Sequence, residues 1–230
     1  MCGRYVTPEI AEAERNLMVH WLEYERSFNV APTERVPVVR WLDGARQALQ
    51  MRWGLVPFFA RGVASNYGTI NAAVENLQTK PSWRGPWQRA QRCLLVAAGF
   101  FEWHVLPDGS RHPYYITCAD QPVFCLAGLW DRSVSADGTE TLSCALITLP
   151  ANALMSEIHN SKKRMPAILA VEDRDAWLSG STEEAGAVLR QYPSDTMLAH
   201  PVSTRVNAVK NNDAALLNAV ALPETIRLPL

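Results

Sequence analysis

The run "CLLVAAGFFEWHVL", residues 93–106, decides the fold class of this chain. Short apolar and aromatic runs bounded by turn residues read as strands, and this one stops at the turn signal Pro107-Asp108-Gly109. Five further runs of the same character surround it: "RVPVVRWL" (35–42), "RQALQMRWGLV" (46–56), "HPYYITC" (112–118), "PVFCLAGLW" (122–130) and "TLSCALITL" (141–149). Asp43-Gly44 and Asp137-Gly138 mark further turns, and such hairpin-length connections favour antiparallel neighbours. Outside the runs, "PEIAEAERNLMVHWL" (8–22) has apolar residues at helical spacing behind Thr7-Pro8. Shorter helical pieces are predicted near 71–78, 83–91, 150–158, 172–179, 183–191 and 212–220. The pattern implies an α+β fold, one domain over residues 1–230, with a curved, mostly antiparallel, barrel-like sheet flanked by helices.

Composition is compatible with that reading. The 230 residues are 48% hydrophobic, enough for one substantial core. No charged leader followed by an apolar run and no stretch of about 18 apolar residues is present, so a cytoplasmic protein without membrane contact is expected. Five cysteines without a C-x-x-C pair predict buried thiols rather than a disulfide framework or a metal centre. The net charge is −1, yet between Gly44 and Phe101 seven basic residues meet a single acid, Glu75. That asymmetry predicts one positive face able to hold phosphates; the alternative is that the arginines cluster in sequence and scatter in space.

The second residue is a cysteine, an unusual place for a packing side chain because chain ends fray. Removal of Met1, which aminopeptidases carry out before small side chains, would leave Cys2 with a thiol and an α-amine. An α-amine titrates near 8 and can attack an aldehyde, after which the neighbouring thiol can close a five-membered thiazolidine ring. In "GFFEWHV", strand periodicity places Glu102 on one face with Phe100 and His104, and aromatic neighbours invite a raised pKa suited to proton transfer. The alternative is a solvated glutamate paired with an arginine. Asn71, in "TINAAVEN", reads as a helix N-cap or as an amide that holds a reacting oxygen. His159 ends a helical run in "LMSEIHNSKKRMP", where it either complements the helix dipole or moves protons, with Lys162, Lys163 and Arg164 beside it. "KPSWRGPWQRAQR" and "MRWGLVPFF" mix Arg84, Arg52 and Trp53 with further aromatics, a composition found in single-stranded nucleic-acid grooves but equally in cores.

Taken in order, "MCGR", "NVAPT", "RWGLVP", "INAAVE", "GFFEW", "IHN…RMP" and "HPVST…VN" resemble the SRAP family, the SOS-response-associated peptidases that process abasic sites, over nearly the whole chain. The resemblance implies a sensor of abasic sites in single-stranded DNA that acts in the DNA damage response, without a cofactor or metal, and is expected as a monomer near the nucleoid. It implies that Cys2 forms the thiazolidine with the ring-opened deoxyribose. Glu102 and His159 would transfer protons, Asn71 would position the amine or the sugar, and Arg4, Arg52, Trp53, Arg84, Lys162, Lys163 and Arg164 would contact DNA. The "peptidase" of the family name would correspond to self-removal of what precedes the cysteine. Two departures stand out: the family's N-A-R is Asn71-Ala72-Ala73 here, and "IHNSKKRMP" is longer than the family's "IHDRMP". Two other readings remain, an N-terminal-nucleophile thiol hydrolase with His159 or Glu102 as base, and a non-catalytic nucleic-acid-binding barrel.

Overall fold

In the structure the 93–106 run breaks in two at Ala98, and its halves join different sheets. Residues up to Ala97 are buried on both faces, as a central strand requires. At the break, the Ala98 N–H donates to Val6 O. Gly99 then opens the second half under the Tyr115 side chain, where an added Cβ would lie 2.3 Å from ring atoms, so only glycine fits. The computed structural model describes residues 2–21, 23–63 and 68–222; Met1, with its expected removal, and Leu22 of the first predicted helix lie outside them.

The strands are β1 (Arg4–Val6), β2 (Arg35–Leu42), β3 (Ala45–Trp53), β4 (Asn71–Ala73), β5 (Arg92–Ala97), β6 (Gly99–Val105), β7 (Arg111–Cys118), β8 (Phe124–Val134), β9 (Glu140–Pro150), β10 (Arg164–Pro166), β11 (Ile168–Leu169) and β12 (Met197–Pro201). The helices are α1 (Ile10–Leu17), α2 (Pro81–Gln88), α3 (Ala153–Ile158), α4 (Arg174–Ser179) and α5 (Thr182–Ala187). Antiparallel pairs β3–β2, β2–β5, β5–β8 and β8–β9 run around a barrel that a short parallel pairing of β9 with β3 closes. β4 adds to β9 in parallel, and β10 and β11 cover β9 and β8 where those two strands splay apart. A second, wholly antiparallel sheet has the order β1-β6-β7-β12. The expected α+β, barrel-like architecture is therefore present, with the parallel closure as its mixed element.

The core is aromatic-rich. Trp21, Trp53, Trp83 and Trp177 are fully buried, and side chains of this kind bury roughly 150–250 Å² each. All five cysteines are buried and unbridged. Three expectations need correction. The first helix stops at Leu17 because Met18 turns left-handed (φ 52°). The helix expected over 71–78 is instead β4 followed by one 3₁₀ turn, since Asn71 pairs with Leu146 on β9. The expected positive face is depleted of three of its seven cations: Arg46 pairs with Asp175, Arg89 with Asp131, and Arg92 is buried against the Trp177 and Gly180 carbonyls.

Candidate active site

Cys2 is 1% exposed, because β1 is a paired strand rather than a frayed end. On one side it runs antiparallel to β6, with Arg4 opposite Phe101; on the other, Tyr5 and Val30 exchange backbone bonds of 3.3 and 2.9 Å. The "NVAPT" segment that contributes Val30 is itself tied to Trp53, whose carbonyl accepts from Thr33 N–H at 2.7 Å. Asn71 completes the enclosure by donating from Nδ2 to the Cys2 carbonyl at 2.8 Å. Burial pushes the thiol pKa up, and the nearby Glu102 carboxylate pushes it in the same direction.

Glu102 stands on β6 directly opposite Tyr114 of β7, and both are buried. Burial raises its pKa to about 7, so near neutrality it is divided between carboxylic acid and carboxylate. His159 reaches the same spot from the end of α3, a helix started by Asn152, whose side chain accepts from Met155 N–H at 2.9 Å. Its Nδ1 lies 2.9 Å from Arg164 O and 3.8 Å from Glu102 Oε1. Hydrogen bonding of Nδ1–H to a carbonyl makes Nε2 the basic nitrogen. Burial also lowers the His159 pKa, favouring the neutral ring. The four residues singled out for chemistry thus converge from the segment before β1, from β4, from β6 and from the turn after α3.

Beside them opens a cleft of about 430 Å³ lined by Gly3, Arg4, Pro32, Trp103, Arg111 and Asn207. Arg4 Nη1 is held by Val206 O at 2.8 Å and Asn29 Oδ1 at 3.3 Å, and Trp103 Nε1 donates to Asn207 Oδ1 at 2.8 Å. Buried Asn29 donates to the carbonyls of Val206, Ala208 and Asn211, which anchors the "VN" segment against the "NVAPT" loop. Arg111, Pro32 and the anchoring role of Asn29 were not singled out from sequence; for Asn29 and Asn207 the signal was their place in quoted motifs.

The expected DNA contacts fare unevenly. Arg4 lines the cleft, and Lys162 and Lys163 are exposed just after His159. Trp53 is fully buried, edge-on to Tyr5 with its indole N–H on Ile70 O, so it builds the wall behind Cys2 and cannot stack on a base. Arg52 folds back on Gly54 O. Arg84 is exposed on α2, which packs on β8 rather than on the sheet that carries Cys2. Arg164 is committed to Glu75 and to Thr148 O at 2.7 Å; Thr148 is the β9 partner of Ala73. Among the described residues no group of three or more His, Cys, Asp or Glu side chains could hold a metal ion, and no helix is long and apolar enough to cross a membrane.

A closed mixed barrel carrying a second, antiparallel sheet, with Cys2, Asn71, Glu102 and His159 brought together beside a cleft, defines the α+β class of the protein and its candidate site. The chain belongs to the SOS response associated peptidase (SRAP) family, whose model matches residues 1–209. It is 35% identical over 201 residues to the abasic site processing protein YoqW of Bacillus subtilis, covering 86% of this chain and 88% of the relative. It is 30% identical to the abasic site processing protein HMCES of Gallus gallus, over 90% of this chain and 71% of that one. A crystal structure of a Bordetella bronchiseptica protein superposes with a TM-score of 0.78 at 27% identity, covering 88% of this chain and 100% of that chain. One from Bacteroides thetaiotaomicron gives 0.75 at 28%, covering 94% and 92%.

Proposed function

We propose that the protein processes abasic sites in single-stranded DNA by becoming covalently joined to them through Cys2. The observation that carries this reading is the enclosure of Cys2: a thiol at the second residue, its carbonyl fixed by Asn71, beside a buried carboxyl and imidazole. Removal of Met1, by an aminopeptidase or by the same groups acting as a peptidase, frees the Cys2 amine. His159 Nε2 takes the C1′ hydroxyl proton of the cyclic deoxyribose as the C1′–O4′ bond breaks and returns it to O4′, which opens the ring to the aldehyde and a 4′-hydroxyl. Because burial holds the thiol protonated, nitrogen attacks first, forming the N–C1′ bond while one amine proton passes to the carbonyl oxygen to give the carbinolamine. Glu102 as the acid gives a proton to the carbinolamine hydroxyl, which leaves as water and yields the iminium. The thiol then adds through Sγ to the same carbon; its proton returns to Glu102, and one water is released overall. Ring closure is intramolecular and correspondingly favoured. The enzyme is read as a monomeric, cytoplasmic, single-domain protein of the DNA damage response that meets DNA near the nucleoid and uses no cofactor.

Intact mass measurement tests the reading. Processed protein incubated with single-stranded DNA containing an abasic site should gain the mass of the oligonucleotide less one water, in a heat-stable adduct. Cys2→Ala should lose it, and a retained Met1 or an N-acetyl group should block it, because an amide nitrogen is not a nucleophile. Full crosslinking by the N-acetylated protein would remove the thiazolidine; turnover of peptide substrates without capture of an aldehyde probe would favour the thiol hydrolase instead.

A further inference from the structure

Glu102 and His159 are delivered by separate elements, β6 and the turn after α3. Proton exchange between them and a bound sugar depends on how firmly turn and strand are held together. β1 covers only the first part of β6, from Gly99 to Phe101. At the far end Asn160, the residue after His159, takes the place of a neighbouring strand: Val105 N–H donates to Asn160 Oδ1 at 3.0 Å, and Asn160 Nδ2 donates to Val105 O at 2.8 Å. One amide side chain thereby satisfies both backbone groups of one residue. His104 Nδ1, at 2.8 Å from Glu157 O, adds a tie between the same two elements. An aspartate at 160 could accept from Val105 N–H, but its second oxygen would face the Val105 carbonyl, acceptor against acceptor. The asparagine is therefore the side chain that the two-way bond requires.

We infer that Asn160 is a positioning residue: its amide clamps the turn bearing His159 to the strand bearing Glu102 and fixes the distance over which the pair handles protons. The inference rests on the reaction proposed above. The pair is also faced by the Cys2 thiol from the segment before β1, by Tyr114 and Arg111 from β7, and by Lys162 from its own turn. A probe of the clamp must therefore read His159 and Glu102 together.

The full-length protein, free of DNA, is titrated by NMR at the His159 ring in the wild type, Asn160→Ala and Asn160→Asp, with Glu102→Gln as the control that removes the carboxyl step. The wild-type ring should report a second inflection as Glu102 ionises. In Asn160→Ala that inflection should shrink, and adduct formation on abasic single-stranded DNA should slow on the order of 10-fold to 10²-fold, while binding of undamaged single-stranded DNA is unchanged. Asn160→Asp, which keeps the bond from Val105 N–H, should fall between and carries the test if the alanine variant does not fold. Wild-type titration in both variants overturns the clamp, whatever happens to thermal stability or rate. If the wild type forms no adduct, the proposed reaction falls, while the titration still decides the clamp.

Discussion

A carboxyl group 2% exposed is the least expected residue of the site, and its burial has consequences in both rate and stability. Replacing Glu102 with glutamine removes a proton-transfer group of a kind typically worth about 10²–10⁴ in rate, so adduct formation should slow by that order while binding of undamaged DNA holds. The stability effect has a definite sign. Burial raises the carboxyl pKa from 4.5 to about 7, so the folded state binds the proton more tightly than the unfolded chain between those values. Glu102 therefore costs stability increasingly as pH rises through that window. The melting temperature of Glu102→Gln relative to wild type should climb by several degrees between pH 5 and pH 7 and stay level to pH 8; a flat difference would mean that the carboxyl is well solvated. Sequence suggested the aromatic surroundings of Glu102, but not its depth, because residue type fixes chemistry and tertiary contacts fix exposure. The same limit explains Trp53, whose composition suited a nucleic-acid groove as well as a core, and Asn160, whose two-way bond exists only once α3 lies against β6.

At the scale of elements, the alternation of apolar runs and turns was legible because hairpin connections leave local marks; β2 matches its predicted bounds, Arg35–Leu42. What was not legible is non-local. The division of residues 93–106 between two sheets depends on Ala98 bonding to Val6, some ninety residues away. Likewise Asn71 starts a strand only because β9 offers an edge; read alone, its segment suits a helix start. Gly99 makes the division testable. Gly99→Ala drives a methyl into the Tyr115 ring and should cost about 1–3 kcal/mol in urea unfolding, by overpacking. Combining it with Tyr115→Leu should cost less than the sum of the two single changes, since the ring is the obstacle. Strict additivity would place the strain elsewhere, in the backbone between β5 and β6.

For the molecule as a whole, a net charge of −1, with Arg46 and Arg89 already paired to carboxylates, means that the proposed reaction calls on few cations close to Cys2 to hold DNA. Arg4 and Arg111 border the cleft, Lys162 and Lys163 follow His159, and Arg164 is already neutralised by Glu75. Arg164 shares Thr148 as a neighbour with Ala73, where the arginine is missing, but its ion pair with Glu75 leaves the exposed Lys162 and Lys163 as the better candidates to compensate. Each phosphate contact on single-stranded DNA contributes about −0.7 to the slope of log K against log salt. In a non-crosslinking Cys2→Ala background, changing Lys162 and Lys163 together to alanine should reduce that slope by about 1.4 at most, and Arg111→Ala by about 0.7. Ala73→Arg added to the double-lysine variant should restore part of the loss, because it returns a cation beside the same stretch of β9. Arg84→Ala should leave the slope alone. A slope unmoved by the lysines but lowered by Arg84→Ala would run the DNA across α2 and β8, and the cleft at Arg4 would then receive only the abasic nucleotide itself.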